Sequence, residues 1–332
     1  MDTGDASRID RFADLSKGGK VLLGEALTIV EAGGEEARSL LARLHLEGGK
    51  AQVVGVTGPP GSGKSTLVNE LALHYAAKGR KVAVIAVDPT SPFTGGAVLG
   101  DRVRMNRASR HENVFIRSAA TRGQLGGIAR ATYDFVRVFD AAGYDPVIVE
   151  TVGIGQSEVD ICRVAHTAVV VESPGLGDAV QAMKAGVLEI ASIFCINKAD
   201  LAGTEAKALQ LAELADRAAH RKPDWKIPIV QTVANAVVAS EVRGIAELAD
   251  KIEAHRAYLA STDRLAALER DRAFAEIRAT LEALVVDAPL RQARGDGRLA
   301  ALAEDVARRR ISSAEAAQAI EREYVRNGEG ST

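Results

Sequence analysis

The stretch Gly58-Pro59-Pro60-Gly61-Ser62-Gly63-Lys64-Ser65-Thr66 constrains this chain more than any other feature. It has Gly, four free positions and then Gly-Lys-Ser, the phosphate-binding P-loop pattern. Ala51 to Thr57 before it is a short apolar run that predicts a buried strand, and Leu67 to Tyr75 after it has helical periodicity. The loop therefore lies at a strand-to-helix turn, the context its chemistry needs. Glycines let the backbone wrap phosphates, while loop N–H groups and the helix N-terminus supply partial positive charge. Lys64 is placed to reach β/γ oxygens and Ser65 to ligate Mg²⁺. A Gly/Pro-rich structural turn is the bland alternative, and it does not account for a complete pattern in this context.

Ile193-Phe-Cys-Ile-Asn-Lys-Ala-Asp200 predicts another buried strand, ending in Asn197-Lys198-Ala199-Asp200. A carboxylate at Asp200 can accept both N1–H and the exocyclic amine of guanine, a donor pair that adenine lacks. Asn197 is expected to brace the loop and Lys198 to pack on the base. Two more predicted strands, Lys81 to Asp88 and Pro146 to Glu150, put carboxylates at the carboxyl edge of a parallel sheet, where ligands bind in open α/β folds. Mg²⁺ needs oxygen ligands, so Asp88, Asp101 and Glu150 are candidates beside Ser65. Helix caps or surface ion pairs are the alternatives for each. Glu150-Thr-Val-Gly153 supplies Gly153, whose N–H suits a γ-phosphate.

These motifs, with Val87 to Met105, Phe115-Ile-Arg-Ser118, Gly123-Gln-Leu-Gly-Gly127 and Glu150 to Glu158, closely resemble the MeaB (ArgK) family of P-loop GTPases. Its members are G-protein chaperones of cobalamin-dependent acyl-CoA mutases, and the resemblance runs from about Leu22 to Leu259. It implies slow Mg²⁺-dependent GTP hydrolysis to GDP, coupled to loading, protection or release of adenosylcobalamin held by a mutase such as methylmalonyl-CoA mutase. It also implies catalytic roles for Lys64, Asp88, Asp101 and Glu150, and a switch from Ser91 to Met105. Asp178, Gln181 and Lys184, within Pro174 to Lys184, would couple nucleotide state to the mutase; its adenosyltransferase is a further candidate partner. The chain departs from the family at Glu172-Ser173, Ala179-Val180 and the Val-Ala-Asn-Ala loop after Thr232. These departures leave open which acyl-CoA the partner mutase uses.

The 332 residues, 47% of them hydrophobic, suffice for one α/β domain with helical additions. The expected fold is a P-loop NTPase with a mainly parallel central sheet flanked by helices. Residues 1–50 form an N-terminal helical extension, 51–260 the GTPase core and 261–332 a C-terminal helical dimerisation region. Ser7 to Ser16, Leu22 to Ala32 and Glu35 to Leu46 predict short amphipathic helices. Phe274, Ile277, Leu281 and Leu284 recur at helical spacing as a narrow seam that predicts a homodimer. Ser312-Ser-Ala-Glu315 reads as a capping box.

A formal charge of −2 argues against nucleic acid as partner. The absence of an 18-residue apolar run argues against a membrane, and the acidic start without an apolar core predicts a cytoplasmic protein. Cys162 and Cys195 are too few for a disulfide scaffold. Cys162 and His166, four apart, raise the alternative of a nickel-type metallochaperone, although a metal site needs more ligands. An ATP-dependent kinase is disfavoured by Asn-Lys-x-Asp, and a partitioning ATPase by Pro59-Pro60 where such proteins carry an early lysine.

Overall fold

The computed structural model describes residues 10–88, 105–120, 130–151, 161, 164–175, 191–219, 224–235 and 241–326. The chain divides into two compact units, Met1–Glu269 and Arg270–Thr332. The first contains a seven-stranded sheet: β1 (Val53–Thr57), β2 (Val82–Asp88), β3 (Val114–Ala120), β4 (Val147–Thr151), β5 (Thr167–Glu172), β6 (Ile193–Ile196) and β7 (Ile229–Gln231). The strand order is β3-β2-β4-β1-β5-β6-β7, and every neighbouring pair is parallel.

Parallel sheets require cover on both faces, so their strands read as continuous apolar runs rather than alternating ones. β1, β4, β5 and β6 are buried along their whole length. Side chains still alternate between faces. Val54, Val56, Val169, Val171 and Cys195 pack with Leu67, Leu71 and Tyr75 of α3 (Lys64–Ala77) and Leu248 and Ile252 of α7 (Ile245–Ala260). Val170, Phe194 and Ile196 face the other way, onto Leu211 and Ala215 of α6 (Thr204–Ala219).

α1 (Gly19–Ala32) and α2 (Gly34–His45) precede the sheet, and α4 (Asn106–Ser109) and α5 (Arg130–Ala141) lie between strands. α1 and α2 bury Leu23, Leu27, Leu40 and Leu44 completely or nearly so, and both pack against α5. At the end of α5, the Asp140 carboxylate accepts the backbone N–H groups of Gly49, Lys50 (3.1 Å) and Ala51 (2.9 Å), fixing the lead-in to β1.

Of the segment expected as a helix from Ser7 to Ser16, Asp10 is helical and 11–16 are turns, and α1 begins only at Gly19. Asp14 accepts from the Ser16 hydroxyl (2.5 Å) and pairs with Lys17 (2.6 Å), local bonds that compete with helical ones. Phe12 and Leu15 are nevertheless buried, so the apolar spacing reports burial and not helicity. β3, known from the sequence only as the Phe115-Ile-Arg-Ser118 motif, is an edge strand.

The second unit comprises most of α8 (Arg264–Glu282), then α9 (Ala288–Gly295), α10 (Arg298–Ala307) and α11 (Ser313–Ile320). A widened π-helical turn, Ala283–Asp287, precedes Pro289, whose ring would crowd the carbonyl four residues back in a regular helix. Ser312 and Glu315 form the complete capping box read from the sequence. Among the described residues no helix is long and apolar enough to cross a membrane.

Candidate nucleotide site

β1 ends at Thr57 and α3 starts at Lys64, so the P-loop spans the carboxyl edge of the sheet between its central strands. Two of its glycines are dictated by contact. Gly58 has φ 144°, and a Cβ there would lie 2.0 Å from the Val171 carbonyl oxygen on β5. Gly63 has φ 86°, and a Cβ would lie 2.4 Å from the Asn197 amide nitrogen. No other residue fits either place.

Lys64 is buried and its Nζ donates to the carbonyls of Gly58 (2.8 Å) and Pro59 (3.1 Å), folding over the loop from the first turn of α3. Ser65 Oγ donates to Glu150 Oε1 at 2.6 Å, joining α3 to β4. Glu150 is itself buried. One residue along, the Thr151 hydroxyl donates to that of Thr57 at 3.0 Å. Ser65 and Glu150 thus bring two oxygen donors together beside the loop, a set suited to Mg²⁺. The backbone of Asp88 ends β2 at the same edge of the sheet. Asp101, Gly153, Asp178, Gln181, Lys184 and Cys162 lie outside the described residues.

The second loop leaves β6 at Asn197 and is tied to the first. Asn197 Nδ2 donates to the carbonyls of Ser62 (3.0 Å) and Gly63 (3.3 Å), while Oδ1 accepts from Thr232 Oγ1 and the Ala234 N–H, both at 3.2 Å. All four hydrogen-bonding positions of this buried amide are used. Thr232 has one hydroxyl proton and gives it to Asn197, so at its 3.3 Å contact with Cys195 the thiol must be the donor. Burial pushes the Cys195 thiol up to about 12, which keeps that proton in place. Sequence reading assigned this cysteine no role beyond a place in a buried strand; its spacing from Thr232 carries no signal, because only β6–β7 pairing joins them.

Lys198 holds a left-handed backbone (φ 58°), and its Nζ donates to the Gly61 carbonyl at 2.7 Å, so its stem crosses the P-loop. Asp200 is exposed at the loop's apex. His166 has both ring nitrogens engaged: Nδ1 accepts from the Val53 N–H (2.9 Å) and Nε2 faces Glu269 (2.6 Å). Among the described residues no group of three or more His, Cys, Asp or Glu is placed to hold a metal.

A P-loop at the centre of an all-parallel sheet, laced through an asparagine to an Asn-Lys-x-Asp loop, defines a P-loop GTPase. A family model described as methylmalonyl Co-A mutase-associated GTPase MeaB matches residues 23–293, and the chain belongs to that family. It is 47% identical over 273 residues to a putative GTPase of Pyrococcus abyssi, covering 82% of this chain and 83% of that one. It is 36% identical over 290 residues to the GTPase ArgK of Escherichia coli, covering 85% and 86%. A crystal structure titled LAO/AO transport system kinase superposes with a TM-score of 0.67 at 26% identity, over 97% of this chain and 98% of that one.

The contact at Gly58 gives a direct test. Gly58→Ala is expected to lower unfolding free energy by about 2 kcal/mol or more, since strained positive φ and a backbone clash coincide. Its affinity for a fluorescent guanine nucleotide should fall at least about tenfold. Denaturant unfolding and fluorescence titration measure the two effects.

Proposed function

We propose that this chain is a GTP-hydrolysing chaperone that gates the loading, protection or release of adenosylcobalamin on a partner acyl-CoA mutase. The observation that carries this reading is a family match described as mutase-associated, on a chain whose P-loop and base loop are physically joined. Cobalamin is held by the partner in this reading, and hydrolysis acts as a timer. The adenosyltransferase that supplies the cofactor is a further candidate partner, and the protein works in the cytoplasm.

Phosphoryl transfer asks the protein chiefly for position and charge. The N–H groups of Gly61, Ser62, Gly63, Lys64, Ser65 and Thr66 cradle phosphates at the positive end of α3. Lys64 leaves the carbonyls of Gly58 and Pro59 for the β/γ oxygens when they arrive. Pro59 and Pro60 stiffen the loop's entry, and Gly153 supports the γ-phosphate. Ser65 and Glu150, with Asp88 and Asp101, are the oxygen donors that would hold Mg²⁺, which when bound neutralises charge on the phosphate oxygens. Lys198 covers the base, Asn197 holds the loop, and Asp200 reads guanine. The wrong base would cover that carboxylate without offering it a donor, which is the source of the selectivity.

Homodimer formation is supported by the second unit. α8 runs for 19 residues with none of them buried. Isolated helices are marginal in water, so its exposed apolar stripe calls for a partner. Phe274 is 78% exposed and Ile277 68%, with Leu281 and Leu284 following on the same face. The same unit contains an apolar groove of about 620 Å³ lined by residues including Val285, Leu290, Leu302, Val306 and Ile320. A ridge and a groove on one unit suit the self-complementary contact of a two-fold dimer.

Replacing Asp200 with Asn is expected to weaken GTP binding about a hundredfold and to improve xanthosine triphosphate, whose ring oxygen the new amide complements. Equal competition by ATP and GTP in the wild type counts against the assignment. Coupling is tested by mixing the protein with a cobalamin-dependent acyl-CoA mutase and following phosphate release and cobalamin transfer. The triple variant Asp178→Ala, Gln181→Ala, Lys184→Ala should keep basal hydrolysis and lose both stimulation and nucleotide-gated transfer; full coupling in that variant removes the relay. Light scattering should give twice the 35.0 kDa chain mass. Ile277→Glu with Leu281→Glu should give a soluble monomer that still binds GTP.

A further inference from the structure

Glu172, the last residue of β5, is completely buried and stands at the sheet edge that carries the P-loop. Its carbonyl accepts the backbone N–H of Asn197 at 2.8 Å. Its carboxylate faces Lys207 Nζ at 3.7 Å, and Lys207 is also buried. Asn197 opens the base loop, while Lys207 lies in the first turn of α6, just beyond the loop's end at Gly203. One residue of β5 therefore touches both sides of the loop that presents Asp200.

The loop closes on itself around those two attachments. The Lys207 N–H donates to the Gly203 carbonyl at 3.0 Å, and Thr204 Oγ1 donates to that of Leu201 at 2.8 Å. Gly203 (φ 93°) passes the residue after Ser173 closely: a Cβ there would lie 3.8 Å from the Pro174 side chain. Through Asn197 the same loop is bonded to the P-loop carbonyls.

A buried ion pair is poor evidence of stability, since desolvating two charges offsets most of their attraction. The 3.7 Å separation also exceeds a hydrogen bond, so the contact is one of charge rather than tight geometry. Its location is therefore the informative property. We infer that Glu172 and Lys207 are positioning residues that clamp the base loop from both ends and set the rate at which guanine nucleotide leaves. This rests on the GTPase reading and adds to it a control point away from the phosphates. The pair acts through the loop and not on the nucleotide, so it should govern KM and release while leaving kcat at saturating GTP alone.

The test uses the full chain, a fluorescent GDP analogue and stopped-flow release. Glu172→Gln leaves Lys207 buried without its counter-charge; the double variant Glu172→Leu, Lys207→Leu removes both charges and keeps the volume apolar; Glu172→Asp keeps the charge on a shorter stem. Release should quicken about tenfold in Glu172→Gln and in the double variant, and by less in Glu172→Asp, with kcat at saturating GTP changed by no more than about twofold. The double variant should melt close to the wild type. If it folds as the wild type does and releases GDP at the wild-type rate, the pair is structural only and the inference fails. If Glu172→Gln or the double variant cannot be obtained folded, wild-type release from Glu172→Asp alone overturns it. Failure of the wild type to bind GDP would instead overturn the GTPase reading beneath it.

Discussion

One amide side chain, that of Asn197, holds the nucleotide edge of this protein together. It meets carbonyls of the P-loop on one side and the Thr232 hydroxyl and Ala234 N–H on the other, with none of its hydrogen-bonding capacity left over. A buried amide is costly when partly satisfied and rigidifying when fully satisfied. Three segments far apart in sequence are thereby fixed to one another. The glycine at 63 follows from this, because the amide occupies the space of a side chain.

That junction depends in turn on the parallel sheet. Parallel strands all deliver their carboxyl ends to one edge, so Thr57, Asp88, Thr151, Glu172 and Ile196 finish on the same side of the molecule. Charged groups that would be unfavourable in an ordinary core gather there. Lys64 folds back onto loop carbonyls, Glu150 receives the Ser65 hydroxyl, and Glu172 faces Lys207. Burial lowers the local dielectric, which strengthens each of these contacts and makes the edge sensitive to a highly charged ligand. The fold thus assembles this edge by itself, with Lys64 engaged on the loop's own carbonyls.

The second unit follows another logic. Its helices expose large apolar side chains from Phe274 to Leu290, the reverse of the core-forming helices α3 and α7. Helical periodicity alone describes both cases. The spacing of Phe274, Ile277, Leu281 and Leu284 established a stripe, and only the folded chain establishes that nothing within the described residues covers it.

The sequence by itself determined the parts whose chemistry is local. The P-loop, the Asn-Lys-x-Asp loop, the capping box at Ser312 and the apolar runs that became β1, β2, β4 and β6 were all legible, because each depends on neighbours within about ten residues and on side-chain types with few other uses. Local signals misled at 11–16, where Asp14 bonds its own neighbours and the expected helix gives way to turns after Asp10. The tertiary structure decided what joins those parts. Strand order links residues from 24 positions apart (Val169 and Ile193) to 113 (Val54 and Thr167), and the meeting of Ser65 with Glu150, the proton chain from Cys195 through Thr232 to Asn197, and the pairing of Glu172 with Lys207 span 35 to 85. No periodicity or spacing encodes such contacts; they exist because sheet pairing and side-chain packing bring the strand ends to one edge.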